Sequence, residues 1–378
     1  MIPVLALLTD SLRSLRARKL FWFTILLSAL ITIAFGSIGF NDRGVTVLFG
    51  WKTIETDYIH AGTPWADALY EGIFSAFIVN IWLAWGAIVL ALISTASIFP
   101  DFLEGGSIDL VLSKPVSRPT IFVTKFVGAV LFVALQTFVF CLGAFLVIRL
   151  RLGDWRWMIF IAVPLVTLMF SYLYSVVALV GVWSRSTLAG LTAGLIFWFA
   201  LFGLQSTNDV LTQIRVQNEQ TLADAQELAH MRRSEAAKRA MQGDEAGAER
   251  WRRLAEVAQT DIDETEETLA ELQPWDEGFD RAAAWLPKTQ ATIDLVQRAL
   301  EADREATLTD IMLGRVEPAE EELDLEEGRS NRSRERLVTE QVVEEKRSES
   351  PWFILASSAG FELLPLGLAL IIFMRRDF

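Results

Sequence analysis

The sequence predicts an all-α, polytopic membrane protein with six transmembrane helices and a large helical extracytoplasmic insert. Three observations predict it. Apolar stretches of membrane-spanning length, five of them uncharged, recur six times along the 378 residues. The chain is 52% hydrophobic, yet its formal charge is −13. That charge is concentrated: residues 205–350 hold 35 Asp/Glu against 19 Lys/Arg, whereas the remainder holds 12 against 15 and is net basic. The chain is therefore an apolar body plus one acidic polar segment, and a solvated helical surface accounts for the acidity.

The first span is Leu20–Ile38, preceded by Arg13, Arg16, Arg18 and Lys19. This order of charge and apolar run imitates a secretory signal. The run is long for that role, lacks a small-x-small exit and is followed by further spans, so a retained helix is expected. Gly72–Pro100, Phe126–Ile148, Trp157–Ser184 and Ser186–Asn208 follow, and Pro351–Met374 is interrupted only by Glu362. Backbone polar groups in lipid must be paired within their own segment, which makes each stretch a helix. The stretch 72–100 exceeds what a span needs and is expected to tilt or to begin as an interfacial turn.

Short basic flanks orient the spans. With both termini inside, the inner side receives ten basic residues: Arg13, Arg16, Arg18, Lys19, Lys114, Arg118, Lys125, Arg185, Arg375 and Arg376. The outer short loops receive five, Arg43, Lys52, Arg149, Arg151 and Arg156. The expected organisation is 1–204 for an N-terminal interfacial helix and spans one to five, 205–350 for a coiled-coil-like extracytoplasmic domain, and 351–378 for the last span and a cytoplasmic tail. Within 205–350, Leu211, Ile214, Leu222, Ala225 and Ala229 recur at helical spacing, as do Leu254, Ala258, Ile262, Leu269 and Leu272. Gly243 and Gly247 loosen the join between the two patterns, and Pro274 and Pro287 bracket an expected turn. A third pattern runs through Ile293, Val296, Leu300, Leu308 and Ile311.

No catalytic constellation is present: the sequence has no GxxxxGK[ST] phosphate loop, no G-x-S-x-G and no HExxH. The single Cys141 permits neither an internal disulfide nor a cysteine metal site, and His60 and His230 stand in unrelated polar segments. No metal site, bound cofactor or covalent chemistry is expected of this chain. Burying polar groups in lipid is expensive, so Glu362, Asn80 and Gln136 form a possible intramembrane polar site. Helix–helix hydrogen bonding is the competing role for Asn80 and Gln136. Ser171, Tyr172, Tyr174 and Ser175 add a modest polar patch.

The connection 100–125 differs from a plain turn. Pro100, Gly105 and Gly106 break the preceding helix; Ile108, Leu110, Val111 and Leu112 then supply an apolar run, and Pro119 suits the first turn of the next span. On composition alone, a docking element and a well-capped loop both remain open.

The run "FLEGGSIDLVLSKPVSRPTIFVTK", the N-terminal "SLRSLRARKLFWFTILLSALI" and the six apolar segments together resemble the ABC-2 family of transporter permeases. The closest flavour is the bacterial group associated with multicopper-enzyme maturation. The resemblance covers 1–204 and 351–378. It implies that residues 101–114 form a coupling helix touching a separate cytoplasmic ABC ATPase, in which ATP and Mg are bound. Carried over residue by residue, it implicates Glu104, Gly105, Asp109, Leu112, Ser113, Pro115, Arg118 and Lys125, with Asp101 at the start of the helix. It further implies a second permease copy or paralogue as partner, in the bacterial plasma (inner) membrane. Segment 205–350 is far longer than the compact re-entrant helices common in such permeases and suggests an extracytoplasmic protein partner. Membrane lipids complete the expected partners, and nucleic acid is not among them. The alternative is a membrane-anchored scaffold or signalling protein acting through its helical ectodomain.

Overall fold

In the computed structural model, residues 19–56, 59, 63–103, 117–153, 155–301, 337–339 and 341–376 are described. Among them, six helices are long and apolar enough to cross a membrane: Lys19–Gly36, Phe77–Leu103, Arg118–Leu152, Trp157–Ser184, Thr187–Met241 and Pro351–Arg375. Their number and order are those of the six apolar stretches. The chain divides into two compact units, and segment 205–350 is shared between them: 286–301 groups with the apolar body rather than with the acidic helices. The expected interfacial helix around residues 12–19 lies, apart from Lys19, outside the described residues.

In the apolar unit, α1 (Lys19–Gly36) buries Phe21, Thr24, Ser28, Thr32 and Phe35, and exposes Trp22, Phe23, Leu26, Leu30 and Ile33. The packed face is thus the smaller and more polar one. That inversion fits a helix whose other face meets lipid, where close packing rather than hydrophobicity selects the interior side. The hydroxyls on the packed face stay satisfied: Thr24 donates to the Leu20 carbonyl and Thr32 to that of Ser28, both at 2.9 Å.

The first connection adds a feature absent from the sequence reading, a three-stranded antiparallel sheet. Its strands are β1 (Gly39–Asn41), β2 (Gly44–Val47) and β3 (Lys52–Glu55), with Phe40 opposite Val45 and Val45 opposite Ile54. Gly44 sits at φ 138°, where a Cβ would run into the Ile54 carbonyl. Beyond it, α2 (Pro64–Ile73) leads into a π-helix, Phe74–Gly86, then α3 (Ala87–Thr95) and the short α4 (Ile98–Leu103). The π-helical register is visible where the Ala87 N–H donates to the Trp82 carbonyl, five residues back. It stacks Trp85 on Trp198, with ring centroids 4.6 Å apart.

Helix α5 (Arg118–Leu152) is longer than the apolar run Phe126–Ile148. At about 1.5 Å per residue it exceeds the hydrocarbon thickness by several turns. Ser117 caps its start, Pro119 lies in its first turn, and Gly153 at φ 84° ends it after Arg149 and Arg151, cations suited to a helix C-terminus. A 3₁₀ turn, Trp157–Ile161, opens α6 (Ala162–Ser184), which is buried on nearly every face. Arg185 at φ 56° turns the chain into α7 (Thr187–Met241). After the acidic helices, α9 (Thr289–Glu301) buries Ile293, Val296 and Leu300 against the apolar body, and α10 (Pro351–Arg375) completes the spans. Leu308 and Ile311, expected to continue α9, lie outside the described residues.

The second unit is a helical hairpin made by the polar part of α7 and by α8 (Glu245–Trp285). Its seam is built from alanine: Ala225, Ala229 and Ala258 pack with Ile262 and Leu222. Helix α8 runs unbroken through Pro274, so the turn expected there does not form; the chain leaves the helix only after Trp285. Arg215 joins Asp276 at 2.9 Å and Glu219 at 3.1 Å and also pairs with Glu345, while Lys346 meets Asp209 at 2.9 Å. Residues 341–348 are thereby fastened along the hairpin.

At the hairpin tip Gly243, at φ 79°, terminates α7, and Asp244 caps α8 by accepting from the Gly247 N–H at 3.0 Å. That hydrogen bond first, and then Arg239, holds the Asp244 carboxyl below its ordinary pKa. A depressed folded-state pKa stabilises fully above the unfolded value and is lost as pH falls through the folded one. Asp244→Ala is therefore expected to lower hairpin stability at neutral pH, with the deficit shrinking below about pH 4, the ordinary carboxylate range. Thermal melts followed by circular dichroism across that range check it.

Candidate coupling site

The two ends of the 100–125 connection are described, and each is anchored by packing that the sequence places far apart. On the entering side, α4 buries Phe99 and Phe102 and leaves Asp101 exposed. Phe99 meets Phe122 at 4.9 Å, and Phe122 and Phe102 meet Phe373 of α10 at 5.8 and 6.3 Å. Lys125 lies 5.2 Å from the Phe102 ring centre, so the closing lysine of the motif is held over an aromatic face. Tyr174 extends the cluster, packing on Phe126 and donating to the Thr95 carbonyl at 3.3 Å.

On the leaving side, Ser117 accepts from the Thr120 N–H and frees the first turn of α5 to begin at Arg118. Arg118 does not simply decorate the surface. Its Nη1 donates to the Met374 carbonyl at 3.0 Å and to the Arg376 carbonyl at 2.9 Å. Met374 lies in the last turn of α10 and Arg376 just past it, where carbonyls lack an intrahelical partner, and a cation there also complements the helix dipole. Arg376 in turn donates to the Trp183 carbonyl at the end of α6. Burial, and then the neighbouring Arg185, depresses the Arg376 guanidinium pKa. The start of α5, the end of α10 and the end of α6 are thus linked by two arginines. Glu104, Gly105, Asp109, Leu112, Ser113 and Pro115 lie outside the described residues.

The three expected intramembrane polar residues stand in three separate settings. Glu362 of α10 accepts from the Ser171 hydroxyl at 3.0 Å, next to the fully buried Tyr172 and Ser358. Asn80 accepts from Gln297 of α9 at 2.6 Å, the hydrogen-bonding role that competed with a functional one. Gln136 lines a cavity of about 10 Å³ with Ser28, Trp82 and Thr137. Sequence reasoning passed over Phe102, Phe122 and Phe373 and used Arg376 only to orient the spans, because ordinary aromatic and basic residues carry no local signal of a shared site. Among the described residues, no three His, Cys, Asp or Glu side chains converge as metal ligands.

Six apolar helices, a helix returning to them from the acidic segment and a separate polar hairpin define a multi-pass α-helical membrane protein. The family model described as ABC-2 family transporter protein matches residues 10–378, the long acidic segment included. The chain belongs to the ABC-2 family of transporters, whose membership implies a cooperating cytoplasmic ATPase subunit. No curated protein and no solved structure matches it.

Proposed function

We propose that the chain is the permease subunit of an ABC transporter, converting ATP hydrolysis by a separate cytoplasmic ATPase into export or other work across the membrane. The proposed setting is the bacterial plasma membrane, with both termini cytoplasmic, the 100–125 connection facing the ATPase and a second permease copy or paralogue alongside. The resemblance to multicopper-enzyme-maturation permeases rests on the same loop signature. The observation that carries this reading is the double anchorage of that connection: aromatic stacking ties its start to α10, and Arg118 ties its end to the same helix. A push on the loop would then reach the last span directly.

Charge reversal at Glu104 or Asp109, or replacement of Pro115, is expected to lower coupled ATPase activity severalfold, leaving membrane insertion intact. Unchanged complex assembly and turnover in all three would sink the assignment. The compact hairpin favours a second reading, a scaffold acting through its outer helices. Purification in mild detergent followed by mass spectrometry separates the two: a tightly bound Walker-motif ATPase supports the permease, and recovery solely with an outer-face complex supports the scaffold.

A further inference from the structure

We propose that the β2–β3 tip, Leu48–Trp51, is a lipid anchor that inserts its apolar side chains at the phospholipid headgroup–acyl boundary where α1 ends. The first observation is backbone conformation. Leu48 and Phe49 take φ of 54° and 59°, and Gly50 follows at 95°, so three successive residues are left-handed. A residue with a Cβ resists that region, and such outliers persist only where the surroundings over-determine them. Burial in the chain's own core does not compensate, since Leu48, Phe49 and Trp51 are 56%, 66% and 87% exposed.

Position identifies the occupant. The Phe49 N–H donates to the Ser37 carbonyl at 3.0 Å, and Ser37 directly follows the last residue of α1. Arg151, in the last turn of α5, donates to the Gly36 carbonyl at 2.7 Å and lies 5.6 Å from the Phe49 ring centre. Two spans thereby fasten the tip at the edge of the hydrocarbon layer. Near the ends of the same two spans, Ile33 of α1 and Leu146 and Leu150 of α5 are exposed, and the exposed Trp155 and Trp157 follow α5. Aromatic rings with an adjacent cation suit that depth, and Lys52, next to Trp51, supplies a charge for lipid phosphate.

The test uses the full chain. Cys141 is the only cysteine and is buried, so Trp51→Cys provides one accessible thiol for an environment-sensitive fluorophore. Asp42→Cys, at the exposed opposite end of β2, provides the control. Both variants are reconstituted in phosphatidylcholine–phosphatidylglycerol vesicles carrying nitroxide lipids. The label at 51 is expected to shift to the blue and to be quenched about twofold more by a nitroxide near the glycerol than by one at the chain end, the depth of an interfacial group. It should resist aqueous iodide, whereas the label at 42 should remain open to it. An iodide-accessible label at 51, insensitive to both nitroxides, overturns the anchor. So does a label shielded from iodide and nitroxides alike, which would indicate a protein cover such as a second copy.

Discussion

Arg118→Ala is expected to leave the permease inserted in the membrane and associated with its ATPase, while lowering coupled turnover about tenfold, a change worth about 1.4 kcal/mol. The reason is the destination of its two hydrogen bonds. Bonds from a charged donor are worth about 1.5–3 kcal/mol each when desolvated, and partial exposure of this arginine reduces that figure. What is lost is the link between the loop and the end of α10, made through the carbonyls of Met374 and Arg376. Arg118→Lys should recover part of the activity: an ammonium can satisfy one carbonyl, but it lacks the guanidinium's planar fork. A general packing defect would instead lower the thermal midpoint of both variants equally and spare the ratio of stimulated to basal ATPase. Full coupled turnover in Arg118→Ala would refute the transmission route.

That route also reveals what the sequence could and could not express. Spans are legible because their signal is local and repeated: twenty or so uncharged residues have few folded options in lipid. Pro119 in the first turn of α5 is legible for the same reason, being chemistry between neighbours. Glu362 stood out as a charge in an apolar run, yet its partner Ser171 lies 191 residues away, and nothing near either position announces the other. The same holds for Arg118 and the end of α10.

Three features of the fold differ from the sequence reading or go beyond it, each for its own physical reason. The strands of the first connection have three or four residues each, too short for alternation to emerge against a background already rich in apolar side chains. Pro274 looked like a breaker, but a proline missing one backbone donor can be carried within a 41-residue helix whose other turns are paired. Residues 286–301 share the polar composition of the acidic segment; only the placement of Ile293, Val296 and Leu300 on one packed face assigns them to the apolar body. The sequence shows the buried stripe of this 13-residue helix as a periodic pattern, but not that the stripe packs on the apolar body.

Gly190→Ala should be strongly destabilising for the addition of a single methyl group. A Cβ at 190 would lie 2.9 Å from the Val177 carbonyl oxygen and 3.3 Å from the Gly181 backbone, so no side-chain rotation can relieve it. Gly194, one turn on, meets the Val177 side chain more closely still. The two glycines let α7 lie directly on the backbone of α6, the kind of approach small residues four apart permit between membrane helices. Forcing the pair apart is expected to cost about 1–3 kcal/mol, as for an overpacked core. Because α6 is the most enclosed span, the displacement would propagate to its other neighbours. Gly367→Ala in α10 is the matched control, since no atom lies within 4 Å of its added Cβ. A helical glycine without a packing duty gains about 0.5–1 kcal/mol when replaced by alanine. Thermal unfolding in detergent should therefore move the two variants in opposite directions, Gly190→Ala downward and Gly367→Ala level or upward. Equal midpoints would mean that α6 and α7 are not in backbone contact.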